Sequence, residues 1–564
     1  MKNSLLTLLF GIGFVLVSQG QATDEEIRAE LKKQHQADLE YLASDKLEGR
    51  ATGEPGEQMA ADYIAKRFAA MGLKPAGDNV GFFQPFQFQT PGKLVGENSM
   101  KINGQEIALN EGWWPMPLSG SGEASGEIIN VGFGIYAPQF DHNDFANIDE
   151  RDFNGKVVVM QLGLPGGTHP HNKFISVGEL HERIDHLKRM EIAGVIFVNN
   201  DPNVDNPEKA YPRSIRPVKL PVAFVTQEVG QQLLATPGIQ VDFATNIVRE
   251  TKTGKNVLAR IDNGAPFTVV VGAHYDHLGH GEIGSLHRGK PAIHNGADDN
   301  ASGVAVMLSL AQHYAQGHAN QHNYLFIAFS GEEMGLLGSS HFANATETRL
   351  SEFTYMINLD MVGRLKKKEM TLGVNGVGTS PSWNKALEKV AAFDMNLKTS
   401  PSGIGPSDHS SFYLKEIPAI HIFSGTHKDY HKPSDDVENI NYDGMGRITQ
   451  FLQALIDQLD GEDQLKFTAT KNVGSDKAPN FSVTLGVVPD YLFEGEGMRI
   501  DGVTDGKPAA EAGIESGDVV VKMGDLQVVD MRSYMTGLSQ YKKGDSTSVV
   551  VLRNGKEMKL KVQF

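Results

Sequence analysis

The chain has 564 residues, 40% of them apolar and 21% charged, with no cysteine and a formal net charge of -17. That balance is globular and the length asks for several domains. The lack of cysteine excludes a disulfide framework, a Cys-ligated zinc or iron–sulfur site and a thiol nucleophile, so any metal has to be held by His, Asp and Glu. The acidic surplus opposes nucleic acid and anionic lipid as partners.

Residues 1–22 read as a secretory signal peptide: Lys2, an apolar run over 5–17, then small residues with cleavage after Gly20 or Ala22. The run is shorter than the ~20 residues of a membrane-spanning helix, and no later segment is apolar for long enough. The mature chain is therefore expected to be exported, to the periplasm or beyond, with no membrane span. A helix is expected over 24–42, with acidic residues in its first turn. A second follows Gly53-Glu54-Pro55-Gly56, where Met59, Tyr63, Ile64, Phe68 and Met71 form an apolar stripe and Gly72 stands as the C-cap. This pair is expected to pack on a core formed later in the chain.

Ser119-Gly120-Ser121-Gly122 breaks the pattern, and short strands and turns run from Gly126 to about Asp242. Residues 156–160, 194–198 and 221–225 are apolar runs of the kind buried strands have, with a helix over 184–190. His169, His171, His181 and His186 show no ligand spacing and are expected at the surface. From Phe267 the chain alternates strand and helix, with strands over 268–271, 325–329, 356–359 and 419–422. A helix from Ser302 carries Val304, Met307, Leu308 and Ala311 on one side. Such alternation predicts an α/β fold with a helix-covered, mainly parallel sheet, in which functional groups gather at the carboxyl ends of the strands. After Gln458 a polar stretch, 460–463, precedes a last β-rich unit from about Phe481, with a final strand over 548–553 and a hairpin turn at Asn554-Gly555.

Five short motifs fall at the ends of the expected strands: His274-Tyr275-Asp276, Gly296-Ala297-Asp298-Asp299-Asn300, Gly331-Glu332-Glu333, Asn358-Leu359-Asp360 and Tyr430-His431. Two divalent ions ~3.5–4 Å apart need a bridging carboxylate and further ligands on each ion. Imidazole and carboxylate suit zinc where sulfur is lacking. Two His, two Asp and one Glu meet that need and leave one carboxylate over, as a general base requires.

The runs "VGAHYDHLG", "GADDNASG", "FSGEEMGLLGS", "NLDMVGR" and "DYHKPSDD" resemble the co-catalytic zinc exopeptidases, the family of bacterial leucyl aminopeptidases and glutamate carboxypeptidases. The resemblance covers about 23–118 and 251–459. Between them, "GKVVVM", "AGVIFVN" and "PVAFV" resemble a protease-associated (PA) domain, and the "PAAEAGIESGDVVVKMGD" run resembles a PDZ domain of the bacterial protease type. The implied organisation is a signal peptide (1–22), a first part of the peptidase domain (23–118), an inserted, mostly-β PA domain (119–250), the zinc-bearing second part (251–460), a linker (461–480) and a β-rich PDZ domain (481–564).

By motif, the resemblance implies two zinc ions per chain. Asp299 bridges them, His274 and Asp360 complete one, and Glu333 and His431 complete the other. It makes Glu332 the general base and acid, Asp276 the residue that fixes the His274 imidazole, and Tyr430 the hydroxyl that steadies an oxyanion. It also implies a cis peptide at Asp299-Asn300. Adjacent residues leave alternatives open: Glu332 and Glu333 exchange roles if the pattern is misread, as do Asp298 and Asp299. His277, His280, His287 and His294 are expected on a loop surface, Asp435 behind His431, Asp408-His409 in a structural role, and Arg364 near the substrate or in an ordinary salt bridge. The activity implied is hydrolysis of the N-terminal bond of peptides, with a peptide C-terminus as a partner for the PDZ groove. Carboxypeptidase or dipeptidase action, a single-zinc glutaminyl cyclase and a non-catalytic PA/PDZ binding protein are the alternatives.

Overall fold

The structure, a computed structural model, describes residues 23–564 apart from 168–171, 214, 236–237, 346, 471–482, 490–492, 494, 505 and 530. The expected signal peptide, His169, His171 and the second half of the expected linker lie outside the described residues. The chain forms two compact units, Met1–Phe86 with Thr253–Phe564, and Gln87–Lys252.

In the first unit, the helix Asp24–Leu42 starts at a capping box: Glu26 N–H donates to Thr23 Oγ1, and Thr23 N–H donates to Glu26 Oε2. The helix Pro55–Ala70 opens with proline and closes at Gly72, whose φ of +79° is the left-handed value a helix stop takes. Leu39, Leu42, Ile64 and Phe68 enter one core with the sheet and with the helices Gly303–Ala315 and Tyr442–Leu459. The helix after Ser302, expected to be apolar on one side, is buried on every face from Val304 to Ala311, and Ser309 is its one polar residue there.

That unit's nine-stranded sheet is mixed at its rims and parallel at its centre. Asn323–Phe329, Thr268–His274, Phe353–Leu359 and Ala419–Phe423 lie side by side and run the same way. Thr251–Ile261 and Thr371–Asn375 flank them antiparallel. The four central carboxyl ends therefore open on one edge. Towards the C-terminus, Val487–Pro489, Met498–Val503, Val519–Met523, Ser546–Arg553 and Lys556–Gln563 form a separate antiparallel sheet around Leu485, Ile500, Val520 and Val551. Its last hairpin turns through Asn554 and Gly555, both at positive φ.

The second unit holds an eight-stranded sheet in the order Gln105–Glu106, Ser99–Ile102, Gln240–Thr245, Gly122–Asn130, Val157–Gln161, Gly194–Val198, Val222–Val225 and Trp113–Pro115. Strands from before residue 119 thus belong to it. Among the described residues, no helix is long and apolar enough to cross a membrane.

Candidate metal centre

Four of the five expected ligands stand where one of the four parallel strands ends or on the loop that follows it. His274 is the last residue of its strand, and Asp360 follows Phe353–Leu359. Glu332 and Glu333 follow Asn323–Phe329 after Ser330-Gly331, and His431 lies on the loop after Ala419–Phe423. Asp299 comes from the irregular turn Ala297–Ser302 that leads into the helix Gly303–Ala315; its peptide to Asn300 is cis.

The structure brings all five together. His274 Nε2 lies 3.3 Å from Asp299 Oδ1 and 3.3 Å from Asp360 Oδ1. His431 Nε2 lies 3.3 Å from Asp299 Oδ2 and 3.2 Å from Glu333 Oε2. Zinc bonds of about 2.0–2.2 Å in a tetrahedron hold ligand atoms about 3.3–3.6 Å apart, so both sets have the spacing of ligands around an ion. Asp299 gives one oxygen to each. The donor set also fits in charge: three buried carboxylates facing two imidazoles need cations.

Both imidazoles are set to present Nε2. The His274 Nδ1 lies 3.3 Å from the backbone carbonyl of Asp276, nearer than that residue's carboxylate at 3.7 Å, and His431 Nδ1 is 2.9 Å from Gly284 O. A backbone acceptor on one ring nitrogen leaves the other free to ligate. The Asp299 backbone is clamped by Asp435, whose Oδ2 accepts the N–H groups of Asp298 and Asp299, each at 3.0 Å. Asp435 therefore supports the backbone of Asp299, not His431 as expected from the sequence. Asp298 is tied elsewhere: its Oδ1 accepts from Gly363 N–H and Ser302 Oγ, and its Oδ2 lies 3.1 Å from His427 Nε2. Arg364 is in an ordinary ion pair with Asp429 at 2.9 Å.

Among the described residues, two donor groups could hold a metal, His274 with Asp299 and Asp360, and His277 with Asp299 and Glu333; Glu332 stands outside both. Its N–H donates to Asp276 Oδ1 at 3.1 Å, and Thr52 Oγ1 donates to Asp276 Oδ2 at 2.9 Å, so Asp276 ties the His274 strand end to the Glu332 turn. Burial pushes the Glu332 carboxyl well above the usual range; His274 opposes this, and Asp360, Asp408 and Glu333 add to it. Tyr430 stacks on His431 with ring centroids 3.9 Å apart. Burial, with Asp299, Glu333, Glu332 and Asp360, lifts its hydroxyl well above the ordinary tyrosine value, so it remains a donor. Burial opposes charge on His431, yet Glu333 and Asp299 outweigh it and raise the imidazole to about 11. The ligand set thus takes up protons that a bound cation has to displace.

The four loop histidines divide. His280 is exposed and His287 half-buried, whereas His277 and His294 are buried. His294 is held by Ser285 Oγ and the Ala292 carbonyl, both at 2.8 Å. His277 Nδ1 lies 2.8 Å from Glu333 Oε1. The sequence placed it on the loop surface with the other three, but the fold around Gly296 turns its ring inward. Asp408 and His409 are buried, and burial raises the Asp408 carboxyl to about 7. His181 meets the Arg216 carbonyl at 2.6 Å, and His186 stacks on Tyr136.

Residues 256–456 match the family model of Peptidase family M28, 124–233 that of the PA domain and 465–564 that of a PDZ domain. The chain thus carries a peptidase domain of the co-catalytic zinc exopeptidase family together with a PA and a PDZ domain. It is 25% identical over 458 residues to aminopeptidase YwaD of Bacillus subtilis (strain 168), across 77% of this chain and 87% of that one. It is 23% identical over 468 residues to the probable lipoprotein aminopeptidase LpqL of Mycobacterium tuberculosis, across 77% and 84%. Among solved structures, an aminopeptidase from Aneurinibacillus sp. strain AM-1 aligns with a TM-score of 0.46 and 21% identity over 79% of this chain and 97% of that one.

Proposed function

We propose that this chain is an exported, two-zinc aminopeptidase that hydrolyses the N-terminal bond of peptides. The observation that carries the reading is the pair of donor sets sharing Asp299, each with ligand spacing of 3.2–3.3 Å. His274 and Asp360 would hold one ion and His431 and Glu333 the other, with Asp299 shared between them. Zinc, when bound, supplies Lewis acidity to a carbonyl and lowers the pKa of water. Glu332, adjacent to a ligand but outside both donor sets, takes the proton of the attacking water and returns it to the leaving amine. Tyr430 donates its hydroxyl to the oxygen on which charge develops. Asp276 holds the base turn and the His274 strand end in register. The names of the relatives support the aminopeptidase direction, and the N-terminal sequence supports export.

The test is a peptide panel that varies the ends separately: free or acetylated amino terminus, free or amidated carboxyl terminus, with and without chelator. The reading expects cleavage only with a free amino terminus, indifference to C-terminal amidation, loss with chelator and recovery with zinc. Cleavage that needs the free carboxylate instead makes the chain a carboxypeptidase.

A further inference from the structure

His277 is an imidazole at the centre that the five-ligand set does not use, although it groups with Asp299 and Glu333 as a possible metal donor. Its side chain is fully buried. Its backbone N–H donates to the Arg50 carbonyl at 3.2 Å, and its ring packs on Gly296, where an added Cβ would lie 2.5 Å from the ring carbon Cδ2. Gly296 also sits at φ +55°, which suits glycine. The ring is thus built into place from two sides. Its edge meets His431, with centroids 5.8 Å apart and planes at 72°.

Distances decide what this ring does. Ligands on one zinc sit about 3.3–3.6 Å apart. His277 Nδ1 lies 2.8 Å from Glu333 Oε1, a hydrogen-bond length, and 3.9 Å from Asp299 Oδ2, beyond ligand spacing. Glu333 meets His431 through its other oxygen, Oε2, at 3.2 Å. His277 Nε2 has no hydrogen-bond partner among the described residues, so Nδ1 is the ring nitrogen that is engaged. We infer that His277 is a positioning residue for the second metal ion: its Nδ1–H holds Oε1 of Glu333 and leaves Oε2 alone to ligate. The inference rests on the two-ion reading above. Hydrogen bonds to a ligating carboxylate typically carry a 10–100-fold effect on metal affinity.

The experiment is chelator-competition titration of zinc on the full-length chain, with X-ray absorption to count imidazoles per ion. Wild type is expected to bind two ions with one imidazole each. His277→Ala is expected to lose about 10–100-fold in affinity for one ion and to keep wild-type affinity for the other. His277→Asn, whose amide nitrogen stands where Nδ1 does, is expected to recover most of the loss. Three imidazoles shared by two ions in wild type, equal weakening of both ions in His277→Ala, or no recovery in a folded His277→Asn overturns the inference. Unchanged affinities in a two-ion His277→Ala chain overturn this inference alone. Fewer than two ions in wild type overturns it together with the reading it rests on.

Discussion

The strands Val157–Gln161, Gly194–Val198 and Val222–Val225 of one unit are hard to tell from Thr268–His274, Phe353–Leu359 and Ala419–Phe423 of the other by composition. Both sets are short, mostly apolar, buried, and parallel to one another within each sheet. They part company where they end. Asn199, just past Gly194–Val198, turns its amide to the Val204 carbonyl and its oxygen to Asp201 N–H, so its polar atoms close their own loop. His274 and Asp360 face each other instead, and Glu333, on the turn after its strand, faces His277 and Asp299. The strands make the sheet in both units, and the few residues after them decide whether the sheet has chemistry.

The largest expected effect lies at one of those ends. Glu332→Gln should keep both zinc ions and lose about 10²–10⁴-fold in turnover, since an amide cannot take the proton. Glu333→Gln should weaken zinc binding itself, because it removes a charged ligand. Zinc content measured beside turnover number checks both. Zinc lost from Glu332→Gln and kept in Glu333→Gln exchanges the two roles.

The comparison also explains what the sequence disclosed. Apolar runs with turn residues on both sides locate strands in either unit, and His, Asp and Glu at their ends mark the peptidase motifs, so all five expected ligands meet. His277 escaped because a histidine in a polar loop carries no sign of which way its ring turns; burial comes from Gly296, nineteen positions on, and from the Arg50 carbonyl of a distant segment. Asp435 was misplaced for the same reason: its clamp on Asp298 and Asp299 joins two loops remote in sequence. The all-round burial of Gly303–Ala315 was likewise hidden, because it depends on helices that pack from both chain ends.

The two units share another device, a buried arginine that clamps loop carbonyls. Arg50 donates to the carbonyls of Leu42, Tyr275, Asn295 and Gly296, and Arg183 to those of Phe133, Gln161, Leu162 and Gly178. Burial lowers each to about 10, opposed in Arg50 by Asp276, Asp299, Asp435 and Glu333, and in Arg183 by Glu179 and Asp144. Replacing either with Met leaves buried carbonyls unpaired, at about 1–3 kcal/mol each. Only Arg50→Met also strips a cation from the acidic centre. The difference in Tm between zinc-loaded and chelated protein should therefore widen in Arg50→Met and stay at the wild-type value in Arg183→Met. Equal widening in both would break the distinction between the units.

The smallest effect concerns a support of the centre. Glu57 Oε2 accepts from Gly53 N–H at 2.7 Å, and Oε1 accepts from Ser330 Oγ. Burial raises its carboxyl from 4.5 to about 8, against the pull of those two hydrogen bonds. A folded-state pKa raised in this way favours the protonated form. Its stabilisation is complete below about pH 4.5 and is lost as pH rises through about 8. Glu57→Gln removes the titration, so its Tm should exceed that of wild type by a few degrees at pH 9, with the gap closing near pH 5. A gap that does not vary with pH contradicts the assignment.

The central claim is that two ions sit at the shared carboxylate of Asp299. Anomalous diffraction at the zinc edge, from crystals of the zinc-loaded full-length chain, tests it most directly. The account predicts two peaks about 3.5–4 Å apart, one beside His274 and Asp360, the other beside His431 and Glu333, with Asp299 between them. A single peak in fully loaded crystals, or a second peak away from Glu333 and His431, would contradict it.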